Sequence, residues 1–317
     1  MNILVTIPFN EKQKNLIENS AQDCKFIYVE QNLANYEQVQ NADIIIGTVD
    51  PLLINKSKRL KLLQVNSAGV DRYVGNDVLA EATILTNARG AYGKSVSEHM
   101  FAMLLTLMKK INLYRDDQFA ARWKDYKEVS SLTNKRVLIV GLGNIGQHFA
   151  KLVKAFDAYV IGLEKEDKKP PKYVDEIKTW NEIDKLLPTI DIVASFLPSS
   201  PNTYKIYDSD FFDKLSNKAI FLNGGRGNAL NQEALVEALK NNDIYAAGLD
   251  VTDPEPLTKN HPLWQQKNVL ITPHVSGGYH LDDTLDKISE IAAINLYNYL
   301  NDKPLINIMD VSTGLSK

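Results

Sequence analysis

Apolar positions fall into short β-branched runs separated by longer amphipathic stretches, and the alternation begins at the first residues. Residues 2–7 predict a strand, 11–21 a helix and 25–29 a second strand. Further apolar runs stand at 43–47, 60–65 and 83–86, with polar, helix-compatible segments between them. Such spacing predicts a parallel sheet with helices on both faces. A long helix is predicted over 95–113, where Val96, Met100, Met103, Leu104, Leu107 and Ile111 recur at helical spacing. That stripe reads as core or subunit interface, and Glu98 and His99 within it as a solvated or locally paired polar face. Residues 114–134 are polar, carry Trp123 and read as a surface arm. Strands are predicted again at 137–140, 158–163, 190–196, 219–223, 245–250 and 269–272. A helix follows at 281–301, and 304–309 returns as a short strand or tail.

One strand-to-helix junction is unlike the others. The apolar run 137–140 breaks into Gly141, Gly143 and Gly146, and residues 147–156 continue at helical spacing. A dinucleotide needs that backbone: a tight first turn, a second glycine that leaves room for the pyrophosphate, and a third that lets helix and strand pack closely. The helix then offers unpaired N–H groups to the phosphates. The next strand ends in Glu164, about 20 residues on, where an acid for the ribose is expected. The first strand of the chain is instead followed by Ile7, Pro8, Phe9 and Asn10, so the first half is expected to be a doubly wound domain without the dinucleotide.

Composition narrows the class. The 317 residues suffice for two domains, and 44% hydrophobic with 24% charged residues is ordinary for a soluble globular protein. A net charge of −3 supplies no basic field for nucleic acid or an anionic membrane. The single cysteine, Cys24, excludes an intramolecular disulfide and Zn–cysteine clusters, and no His/Asp/Glu group has metal-ligand spacing. The N-terminal segment lacks the charged flank and long apolar core of a signal peptide, and the apolar stretch 100–108 is too short to span a bilayer. A cytoplasmic protein with no membrane and no metal is expected.

Three turns carry reactive side chains at predicted strand ends. Asn223-Gly-Gly-Arg-Gly227 holds Arg226 between glycines, residues 250–256 hold Glu255 between two prolines, and residues 272–278 hold His274. A guanidinium grips a carboxylate through two hydrogen bonds and polarises a neighbouring carbonyl. A histidine delivers or accepts the proton that accompanies hydride transfer, and a carboxylate beside it favours imidazolium and fixes its orientation. Singly, each has a bland reading as surface ion pair, loop charge or turn residue. Three together, downstream of a dinucleotide loop, point to catalysis. His99, His148 and His261 are weaker candidates, and His280 follows the His274 turn closely enough to line a pocket.

At this point the chain resembles the D-isomer-specific 2-hydroxyacid dehydrogenases, through SAGVD (67–71), GLGNIG, LPSSPNT (197–203), NGGRG, GLDVTDPEPL (248–257), HPLW (261–264) and ITPHVSGG (271–278). The resemblance implies an α/β architecture of two doubly wound parallel-sheet domains. A Rossmann dinucleotide-binding domain, 95–280, is inserted into a flavodoxin-like substrate domain, 1–94 and 281–317. It implies an active site between the domains, with closure excluding water. Arg226 would bind the substrate carboxylate and 2-oxo group, His274 would be the acid/base and Glu255 its partner. Backbone amides at Ser67, Ala68 and Gly69 would hold the carboxylate. Asn144 and Ile145 would meet the pyrophosphate, Leu197 and Pro198 would line the adenosine pocket, and Gly224, Asp250 and Gly277 would approach the nicotinamide. A homodimer joined through the dinucleotide domains is also implied.

The implied activity is hydride transfer between NAD(H) and C2 of a small D-2-hydroxy or 2-oxo acid. Alternatives are phosphoglycerate dehydrogenase activity, NADP-linked glyoxylate or hydroxypyruvate reduction, and a dinucleotide-sensing binding protein similar to the C-terminal binding protein corepressors. Glu164 replaces the usual aspartate, with Lys165, Lys168 and Lys169 nearby. It favours NAD by binding a 2′-hydroxyl and repelling a 2′-phosphate, while a lysine leaves NADP open. The second glycine of Asn223-Gly-Gly-Arg226 is expected to loosen the nicotinamide pocket, and Arg89 and Tyr92 are further guesses for substrate contacts.

Overall fold

The computed structural model describes residues 1–75, 77–279 and 281–317, so His280 lies outside the described residues. The chain divides into two compact units, residues 1–92 with 279–317, and residues 93–278.

In the first unit five parallel strands, β1 (Asn2–Val5), β2 (Lys25–Tyr28), β3 (Ile44–Ile46), β4 (Leu62–Gln64) and β5 (Ile84–Thr86), lie in the order β2-β1-β3-β4-β5. This is the flavodoxin-like order. Ile44, Ile45 and Ile46 are all buried, which explains why the central strand reads as a continuous apolar run rather than an alternation. The helix Glu11–Asn19 starts at Asn10, whose side chain forms a reciprocal capping box with Gln13. Gln13 Nε2 also donates to Asp286 on the helix Asp282–Leu300, at 2.8 Å. Residues 304–309 return as a tail: Met309 N donates to Leu85 O at 2.9 Å, and its side chain joins the core beside Leu63 and Leu85. Buried Asn295 fastens this tail, donating to Gln64 Oε1 at 2.7 Å and accepting from Ile306 N at 2.8 Å.

The second unit has seven parallel strands: β6 (Arg136–Val140), β7 (Tyr159–Glu164), β8 (Glu176–Thr179), β9 (Ile192–Ser195), β10 (Ile220–Asn223), β11 (Ala246–Leu249) and β12 (Val269–Ile271). Their order is β12-β11-β10-β9-β6-β7-β8. Counted within the unit this is the doubly wound dinucleotide-binding order with one strand added, and its switch point lies between β6 and β9. The expected architecture of two doubly wound parallel sheets is therefore the observed one.

Two local expectations change. The helix predicted over 95–113 is two helices, Gly93–Met108 and Ile111–Phe119, because Lys110 takes a left-handed φ of 56° and breaks the hydrogen-bond ladder. The arm is accordingly shorter than 114–134 and begins after Phe119; Trp123 on it is fully exposed. Strand β8 was not predicted at all. Glu-Ile-Lys-Thr buries one side chain, Ile177, at the sheet edge and so carries no apolar run.

Candidate active site

Strand register in the second unit puts Ile271, Leu249, Asn223, Ser195, Val140 and Leu163 in one row across β12, β11, β10, β9, β6 and β7. The residues singled out in the sequence follow that row at the carboxyl edge. His274 comes after β12, Glu255 after β11, Arg226 after β10, Leu197 and Pro198 after β9, and the glycine run after β6, while Glu164 closes β7. Five strand steps span about 24 Å, all on the edge where open α/β sheets bind ligands.

Each turn is shaped by its own sequence. Asn223 is fully buried; its Oδ1 accepts from Gly225 N at 3.1 Å and its Nδ2 donates to Arg226 O at 3.0 Å, folding the backbone around the arginine. A Cβ on Gly227 would come within 2.0 Å of Thr252 O, so the Arg226 and Glu255 turns pack backbone on backbone. Glu255 Oε1 accepts from Thr252 N at 3.2 Å, which leaves Oε2 to His274 Nδ1 at 2.8 Å. Side-chain exposures of 47% for His274 and 40% for Glu255 leave the pair open to a ligand. With Nδ1–H donating to the carboxylate, Nε2 is the ring nitrogen available to exchange a proton.

His274 has a φ of 52°, a left-handed conformation that costs a non-glycine residue about 1–3 kcal/mol. Asp250 supports it from beneath. Its carboxylate, 1% exposed, accepts from Thr272 Oγ1 at 2.6 Å, Val275 N at 3.0 Å and Ser276 N at 3.2 Å, and from the Ser276 hydroxyl. Asp250 O accepts from His274 N at 2.8 Å. All of these donors belong to the 272–276 turn, so Asp250 shapes the backbone that carries His274. Thr272 and Ser276, which sequence reasoning passed over, are the other half of this arrangement; their place on either side of His274 was the available signal. His99 Nε2 lies 2.9 Å from Thr272 Oγ1, which makes His99 a locally paired residue as expected.

The glycine run has the shape a dinucleotide requires. Gly141 takes a φ of 96°, and a Cβ on Gly146 would lie 2.2 Å from Gly141 O. Over Gly143 there is no atom within 4 Å of a Cβ position, and this exposed residue caps the helix Asn144–Lys154. The space is open where a pyrophosphate would approach and closed where the helix must pack. The first helical residues, Asn144 and Ile145, are half-buried at that cap. These residues fit a dinucleotide. Glu164 is half-buried and pairs with Lys168 Nζ at 3.0 Å. Leu197 packs against the core, Pro198 is exposed, and Gly277 is half-buried after Ser276.

The second glycine of Asn223-Gly-Gly-Arg226, Gly225, does not loosen its surroundings: a Cβ there would lie 2.6 Å from Leu197 O and 2.7 Å from Leu197 N, so backbone fills the space beside it. On Gly224 a Cβ would lie 2.9 Å from Met100 Cγ and 3.0 Å from its sulfur, so the methionine fills the space that glycine vacates. In the first unit, Ser67, Ala68 and Gly69 are half-buried after β4, and their carbonyls are all occupied by Ala88 N, Asn87 Nδ2 and Ser67 Oγ. Among the described residues the amides of Ala68 and Gly69 donate to no protein acceptor, which leaves them for an anion. Tyr92 is buried with its hydroxyl on Asn66 O, and Arg89 is exposed.

Comparison with known proteins adds four findings. The family model for the D-isomer specific 2-hydroxyacid dehydrogenase NAD binding domain matches residues 101–276. A Corynebacterium melassecola protein described as an uncharacterized protein in the proB 3′ region is 32% identical over 247 residues, 76% of this chain and 80% of that one. Human glyoxylate reductase/hydroxypyruvate reductase is 29% identical over 250 residues, 78% of this chain and 76% of its own. Among solved structures, a D-isomer specific 2-hydroxyacid dehydrogenase family protein from Aeromonas salmonicida subsp. salmonicida A449 superimposes with a TM-score of 0.87. It is 28% identical, with 98% of this chain and 99% of that chain covered.

Proposed function

The chain belongs to the D-isomer specific 2-hydroxyacid dehydrogenases, and from that premise we propose that it interconverts a small 2-oxo acid and its D-2-hydroxy acid with His274 as the acid/base. The observation that carries the residue assignment is the 2.8 Å contact between His274 Nδ1 and Glu255 Oε2, two strands from Arg226 on the edge that bears the glycine run. Gly141, Gly143, Asn144, Ile145, Gly146, Leu197, Pro198, Gly224 and Gly277 would hold the dinucleotide along that edge, where NADH would supply, or NAD accept, the hydride at C2. Arg226 holds the substrate's carboxylate and polarises its 2-oxo oxygen through paired N–H donors. Ala68 and Gly69 offer their amides to the carboxylate.

In reduction, His274 gives the proton on Nε2 to the oxygen that develops negative charge; in oxidation, Nε2 takes it from the hydroxyl. Glu255 keeps Nδ1 protonated and the ring oriented throughout. Asp250 acts through the 272–276 turn, holding His274 in its left-handed conformation. Glu164 selects NAD by its charge against a 2′-phosphate, with Lys168 softening that selection.

The reading also carries a cytoplasmic homodimer, to which the exposed Ile111, Phe119 and Trp123 of the second unit contribute apolar surface. Among the described residues no helix is long and apolar enough to cross a membrane. NADH consumption measured across a panel of 2-oxo acids tests the function. Binding of NADH with no turnover of any of them would replace the enzyme reading with that of a dinucleotide-sensing binding protein.

A further inference from the structure

Two successive carbonyls of the 67–69 loop are held by two successive residues that follow β5. Ala88 N donates to Ser67 O at 2.9 Å, and Asn87 Nδ2 donates to Ala68 O at 2.6 Å. We propose that Asn87 is a positioning residue of the reductase. It aims the amides of Ala68 and Gly69 at the substrate's carboxylate, and the C-terminal tail keeps it in place through Asn307. This rests on the reductase reading and on those two amides as the seat of the carboxylate.

The peptide plane makes the link. In a trans peptide the N–H points opposite to the carbonyl of the same unit, so holding Ser67 O sets Ala68 N–H and holding Ala68 O sets Gly69 N–H. Both carbonyls turn toward the 87–88 segment, so both N–H groups leave on the far side. Successive N–H groups that face one way form an anion-binding concavity.

A carboxamide suits the position because it is used at both ends. Asn87 Oδ1 accepts from Arg89 N at 3.1 Å, so a flipped amide would set N–H against N–H there and oxygen against Ala68 O. Asn87 is 2% exposed, which fixes the group between these partners rather than sharing it with solvent.

The tail supplies the outer layer. Asn307 O accepts from Asn87 N at 3.2 Å, and Asn307 Nδ2 reaches Asn87 O at 3.3 Å and Arg89 O at 2.9 Å. Asn307 takes a left-handed φ of 57°, which asparagine tolerates better than most residues. The next residue, Ile308, bridges Thr86 in antiparallel sense, so the tail runs along the end of β5. Contact therefore passes from the tail to Asn87, from Asn87 to Ala68 O, and from there to the amide that meets the substrate.

These amides grip a group that does not react, so misaiming them weakens ground state and transition state alike and raises KM more than it lowers kcat. Steady-state kinetics with NADH and the best of glyoxylate, pyruvate and hydroxypyruvate test this, with oxamate as a dead-end inhibitor. Asn87→Ala should raise both KM and the oxamate inhibition constant by about tenfold, with kcat within about threefold of wild type and NADH affinity unchanged. Asn307→Gly permits the left-handed backbone but removes Nδ2. It should raise the same two constants by about threefold, and it carries the test should Asn87→Ala not fold. A merely structural role would lower the melting temperature and leave both constants in place. Folded variants with wild-type constants, or with a loss confined to kcat, overturn the proposal and leave the reductase reading standing. A wild-type protein that reduces no 2-oxo acid overturns both.

Discussion

Asp250 and Thr272 are joined at 2.6 Å, carboxylate to hydroxyl, directly beneath the turn that presents His274. The carboxylate is 1% exposed; its hydrogen bonds all come from the 272–276 turn, and His99 Nε2 stands 3.8 Å from its Oδ1. Asp250→Asn keeps the volume but sets an amide N–H₂ against backbone and hydroxyl donors. A buried donor facing a donor costs about 1–3 kcal/mol, so urea unfolding should show a loss of that size together with a fall in kcat. Unchanged kcat would mean that His274 does not depend on this support.

The glycine run separates binding from folding. Gly143→Val enters open space and should leave thermal stability near wild type while weakening NADH binding tenfold or more. Gly146→Ala places a methyl 2.2 Å from Gly141 O, and should cost about 1–3 kcal/mol because backbone has to move. Fluorescence titration and thermal melts on both proteins check the contrast, and equal effects on affinity and stability would refute it.

Glu164 meets Lys168 at 3.0 Å, an exposed-end pair of little energetic weight that sits where the adenosine ribose is to be recognised. Glu164→Ala should narrow the preference for NADH over NADPH, because the repulsion of the 2′-phosphate goes and the lysine stays. The ratio of kcat/KM for the two cofactors reports it; an unmoved ratio removes Glu164 as the selector.

Asp310 ties the C-terminal turn. The Ser312 hydroxyl, then the Thr313 and Ser312 amides, pull its carboxyl down from 3.8 to about 2. A carboxylate with a depressed value stabilises the folded turn above its ordinary range and loses that contribution as pH falls toward its lowered value. Amide exchange at Ser312 and Thr313 should therefore accelerate as pH drops from 3.8 toward about 2, relative to amides elsewhere. Asp310→Asn should abolish that pH dependence, and a flat profile in the wild type would contradict the assignment.

Much of this architecture was legible because parallel strands buried on both faces write themselves as apolar runs, as Ile44–Ile46 and 137–140 do. The site was legible for a related reason: each reactive residue follows such a run, and topology carries all the run ends to one edge. What escaped has local causes. Strand β8 lies at a sheet edge and needs one buried side chain, so it leaves no hydrophobic signature. The break at Lys110 depends on one left-handed φ in a residue that usually continues a helix. Met100 filling the space above Gly224 joins residues more than 120 positions apart, a complementarity no window of sequence displays.

The most direct test of the central claim is single-residue replacement of the acid/base. His274→Ala should cut turnover of the best 2-oxo acid by about 10² or more. NADH affinity should stay at the wild-type level, because the glycine run and Glu164 are untouched. Near-normal turnover in a folded, NADH-binding His274→Ala protein would contradict the account, and the proton would have to pass through another group.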